Sequence, residues 1–320
     1  MTFEEYCEKA MVPALQALED RRVRAWAGFW KAVAGAGILA LAGVAVAGAT
    51  GNPLAALVGV VLAGAAAAIA WNVLVAGLER EAKRHVIGAL ARFVDPSLTY
   101  EAEGCITESQ FKQSSLYSTS IDRYRGEDLV SGKIGATAIA FSEVHAEHRT
   151  THTDGKGRTT TSWETIFRGL FVVADFNKNL RGMTLVLPDV AERLLGHLGQ
   201  ALQGALHVFQ RGELVKLEDP EFERDFVVYA DDQVEARYVL TPALMQRLVE
   251  FRRKADRPVR FSFVGTSVCI AIETGRNMFE PHISRSLLDR QMLLENLRDL
   301  AFAAGVVQDL DLNTRIWTKE

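Results

Sequence analysis

The sequence predicts an α+β protein in which an N-terminal transmembrane helical hairpin with a helical stalk precedes a largely antiparallel, β-rich cytoplasmic domain with helices. Three observations carry that expectation. No Asp, Glu, Lys, Arg or His occurs from Ala32 to Leu78. Beyond Pro96 the apolar residues fall into short alternating runs broken by turn residues, the pattern of strands. Two of those stretches also resemble each other, which points to a duplicated unit.

The uncharged window is much longer than the roughly 20 apolar residues that one bilayer crossing takes. Thr50-Gly51-Asn52-Pro53 sits in its middle as a strong turn signal. Two helices follow, over about 29–49 and 54–78, within a hairpin spanning 29–78. Both are rich in Ala and Gly, and small side chains let helix backbones approach closely in lipid. Gly35, Gly43, Gly59 and Gly64 are the candidates for that contact, the alternative being glycines that lipid merely tolerates. A cleavable signal peptide is the competing reading, since Ala45-Val46-Ala47 precedes Gly48. The acidic residues Glu4, Glu5, Glu8, Glu19 and Asp20 and the second apolar span argue against it.

Arg21, Arg22, Arg24 and Lys31 precede the hairpin, Arg80, Lys83 and Arg84 follow it, and the turn carries no positive charge. The positive-inside rule then places both termini in the cytoplasm. Trp26, Trp30 and Trp71 fall near the expected helix ends, at headgroup level. In residues 1–28 an amphipathic helix is expected, with Phe3, Cys7, Met11, Ala14 and Leu18 on one face, Thr2 and Glu5 as a capping box, and a kink at Pro13. In 79–98 the series Leu78, Ala82, Val86, Ala89 and Phe93 continues the second helix until Asp95-Pro96. An antiparallel stalk accounts for both arms; a helix lying on the membrane surface is the alternative.

Residues 99–320 form the soluble α+β domain. Ala136–Ala146 and Thr165–Asp175 read as paired strands joined by an exposed hairpin tip over Thr151–Arg158. Phe167, Phe171, Val172 and Val173 match Phe222, Phe226, Val227 and Val228, and Val186-Leu187-Pro188 with Arg193-Leu194 mirrors Val239-Leu240, Pro242 and Arg247-Leu248. The spacing predicts two ββαββ repeats, about 165–218 and 220–273, with Leu206–Phe209 and Glu213–Glu218 closing the first. Few positions match, so a chance similarity stays open. A C-terminal amphipathic helix is expected over about 283–307, with Ile283, Leu287, Leu294, Leu297, Ala301 and Ala304 on one face.

Composition narrows the function classes. The first 94 residues hold nine Lys and Arg against seven Asp and Glu, which leaves 27 against 33 for the rest. A mildly acidic domain lacks the basic face that nucleic-acid binding requires. Cys7, Cys105 and Cys269 are odd in number, far apart and without metal-ligand spacing, as expected of reduced thiols in a cytosolic compartment. No phosphate loop, dinucleotide fingerprint or nucleophile elbow occurs, and no cofactor is expected. His145, His148 and His152 are the nearest approach to a metal constellation. Strand alternation puts His145 and His148 on opposite faces, which argues against a shared ion.

Two polar clusters remain as a candidate binding surface: Tyr124, Glu127 and Asp128 in Tyr124-Arg125-Gly126-Glu127-Asp128, and Asp231, Asp232, Glu235 and Arg237 in the segment 231–238. The bland reading of the second is a tight turn with an Asp bonding nearby backbone and an Arg237 ion pair. The first cluster, with Ile166-Phe167-Arg168-Gly169-Leu170-Phe171, Asp175-Phe176-Asn177-Lys178, Glu235-Ala236-Arg237-Tyr238 to Pro242 and Phe279-Glu280-Pro281, resembles the bacterial family of domain of unknown function 3137, whose members place two membrane helices ahead of a soluble region. That resemblance implies a bacterial origin and an inner-membrane location, and assigns no activity. The expected partners are the lipid bilayer and a protein or lipid headgroup, bound by a membrane-tethered binding or scaffold module. The rival is a membrane-surface hydrolase using dispersed acidic residues.

Overall fold

The turn residues and the uncharged window dictate the first 94 residues of the chain. In the computed structural model, which describes residues 2–153, 155, 157, 159–189 and 212–314, helix α1 runs Phe3–Thr50 and α2 runs Pro53–Val94. Between them Gly51 takes φ 65°, a left-handed value open to glycine at little cost. Asn52 then caps α2 by accepting the Leu54 N–H at 3.0 Å, and Pro53 fills the first helical position.

The chain divides into two compact units, the first comprising 1–93 and 279–297 and the second 94–278 and 298–320. In the first unit the two helices pack along each other. Thr2 and Glu5 form the expected capping box. Pro13 lacks the N–H of a regular turn, and the helix accommodates it with a π turn over Cys7–Met11. The buried seam holds at Met11 and Leu18 as expected, while Leu15 is buried in place of Ala14, which is exposed, a correction to the expected face. On α2 the seam is as expected for Leu78, Ala82 and Val86, joined by Ile87, Leu90 and Ala91. Phe93 meets the rings of Phe3 and Tyr6 at 5.4 and 4.9 Å, and Arg21 pairs with Glu81 at 2.6 Å.

Closer to the turn, the four candidate glycines separate. A Cβ at Gly43 would meet the Gly59 Cα at 2.9 Å, whereas at Gly35 and Gly64 it would meet nothing within 4 Å. Only the Gly43–Gly59 pair brings the backbones together. Trp26, Phe29, Trp30 and Trp71 form a ring cluster, with Trp26 and Trp71 6.1 Å apart. The same unit includes the 279–297 segment, which is fastened to the helices by polar bonds. Trp26 donates to Ile283 O at 2.7 Å, Lys83 pairs with Glu280 at 2.8 Å, and Glu19 accepts the Leu287 N–H at 2.9 Å.

The second unit is built on a nine-stranded antiparallel sheet of order β1-β2-β3-β4-β9-β8-β5-β7-β6 among the described residues. Its strands are β1 Thr99–Glu101, β2 Arg123–Ile134, β3 Thr137–Thr153, β4 Thr159–Asp175, β5 Met183–Pro188, β6 Glu213–Val215, β7 Phe226–Ala230, β8 Val259–Val264 and β9 Ser267–Glu273. The β3–β4 hairpin stays paired out to Thr153↔Thr159, further than expected. Its threonines, Thr150, Thr151 and Thr153 on β3 and Thr159, Thr160 and Thr161 on β4, are β-branched and suit strands. One face is covered through α3 (Glu108–Gln113), where Phe111 lies 4.8 Å from Phe171 and 5.7 Å from Phe167. On the other face Phe251 of α6 (Pro242–Ala255) meets Phe261 of β8 and Phe302.

The second expected repeat departs from its pattern. Phe222 lies in a short helix, α4 (Pro220–Asp225), whereas its counterpart Phe167 is in a strand. The segment 231–238, read from sequence as a turn, holds the helix α5 (Gln233–Val239), and of the residues matched to β5 Val239 ends that helix while Pro242 begins the next. Asp232 forces that outcome by accepting the Val234 and Glu235 N–H groups as an N-cap, and Ala236 and Val239 are then buried three residues apart. The expected helix around Arg193-Leu194 and the strand Leu206–Phe209 lie outside the described residues. Pro242 does occupy a first helical position, behind the Thr241 cap.

The last helix, α7, runs Arg290–Asp309 rather than starting near Ile283. Asp289 sets the start, its side chain accepting the Gln291 N–H at 2.9 Å. The buried face runs through Met292, Leu293, Asn296, Leu300, Ala303, Ala304 and Val307, while Ala301 is exposed. Asn296 sits in that seam because its amide donates to Met292 O at 2.9 Å.

Candidate functional site

A recess of about 470 Å³ opens on β2, β3 and β4, lined by Arg125, Glu127, Glu143, His145 and Arg168 together with Glu103 and Asn277. Strand register explains why these side chains converge. Arg125 pairs across the ladder with His145, and His145 with Arg168, so three nitrogen-bearing side chains form one row across three strands. Two residues along, Glu127 pairs with Glu143 in the next row. Residues two apart in a strand share a face, so both rows look into the recess.

The acidic row is shaped by a β-bulge. The β2–β3 register shifts between Glu127 and Val130, and Asp128 takes φ 63° there. Its N–H donates to Ala102 O at 3.1 Å and its carboxylate accepts the Tyr100 hydroxyl at 2.5 Å, which fastens the bulge to β1 and the residue that follows it. Carboxylate oxygens of Glu127, Asp128 and Glu143 come within 4.8 Å of one another. Oxygen donors at that spacing suit a hard cation. Two of the three already hold protein, however, since Glu143 Oε1 accepts the Met278 N–H and Asp128 the Tyr100 hydroxyl.

In the cationic row Arg168 donates to Asn277 Oδ1 at 3.2 Å. Burial pushes the His145 imidazole below the usual histidine pKa, and Arg168, Arg125 and Arg123 push the same way against Glu147. It is therefore neutral at pH 7, with one ring N–H to donate.

The expected binding residues divide between two places. Glu127 lines the recess and Asp128 lies beneath it. Tyr124, one residue from Arg125, faces the opposite side of the sheet, where its hydroxyl donates to Ile106 O at 2.8 Å and burial raises its pKa. Asp231, Asp232, Glu235 and Arg237 hold backbone elsewhere. Glu235 accepts the Arg181 and Gly182 N–H groups at 2.9 and 2.7 Å, Asp231 accepts that of Met183 at 2.9 Å, and Asp232 caps α5. Arg237 donates to Gln233 O and Lys216 O, where an ion pair was expected. His145 and His148 point away from each other, His148 meeting Asp122 at 2.8 Å. Sequence reasoning missed Glu143 and Arg168 as site residues. The alternation Glu143, His145, Glu147 was the available signal, but it identifies a face only once the neighbouring register is known.

Residues 165–312 match the family model described as Protein of unknown function (DUF3137). That agrees with the resemblance read from the sequence, and the matched segment contains Arg168 and Asn277 of the recess. No curated protein matches the chain. Among solved structures, the crystal structure of the mycobacterial trehalose monomycolate transport factor A, TtfA, aligns with 71% of this chain and 94% of its own, at 12% identity and a TM-score of 0.32. Similarity at that level does not establish a shared fold.

Proposed function

We propose that the protein is a membrane-tethered binding module: the hairpin of α1 and α2 spans a bacterial inner membrane over 29–78, both termini are cytoplasmic, and the β-rich unit binds a protein or lipid partner at its recess. The observation that carries the tether is the exposure of the apolar spans. In each helix an 18-residue window of mean hydropathy above 2 is only 6% buried by protein. Ile38, Leu41 and Val73 are 69, 71 and 74% exposed. Burying one such side chain is worth about 1.5–3 kcal/mol, so a patch of this extent calls for lipid around it. The aromatic cluster of Trp26, Phe29, Trp30 and Trp71 suits a membrane interface at one end of the spans, and the basic residues flanking the hairpin suit a cytoplasmic exit.

Binding is favoured over hydrolysis because the acids a hydrolase would use are not gathered in one place: Glu127 and Asp128 lie at the recess, whereas Asp231 and Glu235 are engaged by backbone N–H groups away from it. Affinity capture in mild detergent, with the full chain and a chain lacking 99–320, tests the reading. A partner retained reproducibly by the full chain and lost with 99–320 supports it. No partner in repeated captures contradicts it.

A further inference from the structure

Like charges that face each other across a sheet destabilise it, and cross-strand pairs in a purely structural sheet tend to match opposite signs. The recess does the reverse in its acidic row. Arg125 and Arg168 flank His145 on either side, and Glu127 faces Glu143 directly. The guanidiniums thus share one row and the facing carboxylates the next, a segregation of charge fixed by the register. Within the recess it creates a positive end and a negative end, separated by about 7 Å, the rise of two strand residues.

We propose that this recess binds a small zwitterion in which a phosphate and a protonated amine are joined by a short spacer. The inference rests on the reading of the β-rich unit as a binding module and names its ligand class. The two guanidiniums stand two strand spacings apart, about 10 Å between backbones, so an anion held by both must accept from opposite sides. A tetrahedral phosphate does so, whereas a carboxylate is satisfied by a single guanidinium fork. The His145 imidazole between them supplies a further N–H. At the other end Glu127 receives the ammonium beside Glu143, whose Oε1 is fixed by the Met278 N–H. The volume of about 470 Å³ admits a headgroup-sized molecule.

O-phosphoethanolamine is the probe, titrated calorimetrically into the full chain in a non-ionic detergent, with inorganic phosphate and ethanolamine as separate titrants. Saturable binding is expected, at least tenfold tighter than either fragment. Arg168→Gln should weaken both O-phosphoethanolamine and phosphate about tenfold or more, as loss of a charge-assisted bond does. Glu127→Gln, on the recess surface, should weaken O-phosphoethanolamine alike and leave phosphate unchanged. Phosphate binding as tightly as O-phosphoethanolamine, or a silent Glu127→Gln, overturns the proposal, as does the absence of saturable binding. Repeating the titration in nanodiscs separates the sources. Weaker apparent binding in phosphatidylethanolamine than in phosphatidylglycerol discs assigns the chemistry to a lipid headgroup, and equal binding assigns it to a free zwitterion. Were partner capture through 99–320 to succeed while the titration stayed flat, the ligand class would fall and the binding-module reading would stand.

Discussion

Replacing Gly43 with valine tests the helix contact most sharply. A Cβ there would lie 2.9 Å from the Gly59 Cα and 2.9 Å from Ala55 O, both backbone atoms that cannot rotate aside. Non-bonded carbons pack best at about 3.5–4.0 Å, so the helices must part by roughly 0.6–1.1 Å at the crossing. Forcing extra carbon into a packed contact costs about 1–3 kcal/mol, and the branched valine belongs at the upper end. Gly35→Val is the control, because nothing lies within 4 Å of its Cβ position and helix propensity slightly favours the change. Three of the five tryptophans, Trp26, Trp30 and Trp71, report on the hairpin, so titration with dodecyl sulfate from mild detergent can follow their emission. Gly43→Val should be less stable than Gly35→Val by about 2 kcal/mol. Equal midpoints for the two variants would refute the contact.

Gly169 of β4 is tighter still. A Cβ there would fall 2.1 Å from Ile272 O on the neighbouring strand, so Gly169→Ala should cost about 3 kcal/mol, and an unchanged thermal midpoint of the sheet signal would contradict that. Glu235→Ala leaves the Arg181 and Gly182 N–H groups without their acceptor, and a loss of about 1–3 kcal/mol in urea unfolding is expected with O-phosphoethanolamine binding intact. A changed affinity would tie Glu235 to the recess. His145 should titrate below 6.5 by NMR and move up in Arg168→Gln, where one guanidinium is removed. With its folded pKa depressed, the unfolded chain binds more protons at this site as pH falls through 6.5. The stability His145 contributes is thus present above that pH and lost as pH drops toward the folded pKa, and a slope of opposite sign removed by His145→Gln would refute the assignment.

What could be read from the sequence follows the range of the interactions involved. The turn at Thr50–Pro53, the Thr2 capping box and the Pro242 helix start are decided within a few residues, and each appears as expected. The glycine contact was only half legible, because composition nominates four glycines and only the crossing geometry selects Gly43 and Gly59. On α1 the expected seam holds at Met11 and Leu18, and the adjacent Leu15, the larger apolar side chain, is buried in place of Ala14. The segment 231–238, read as a turn, holds a helix because Asp232 caps it by accepting the Val234 and Glu235 N–H groups. The recess depends on register among three strands brought together from positions 125, 145 and 168. Polar runs along the chain drew attention to Asp231–Arg237, whose side chains serve the backbone instead.

Alkaline carbonate extraction of membranes carrying the full chain tests the membrane tether most directly. Two spans held in lipid by their apolar surface should resist the treatment, which strips proteins attached by charge or by docking. The expected result is full chain in the membrane pellet, with a chain lacking 29–78 in the supernatant. Full-length chain released into the supernatant would contradict the spanning hairpin and leave its exposed apolar helices to be covered by protein.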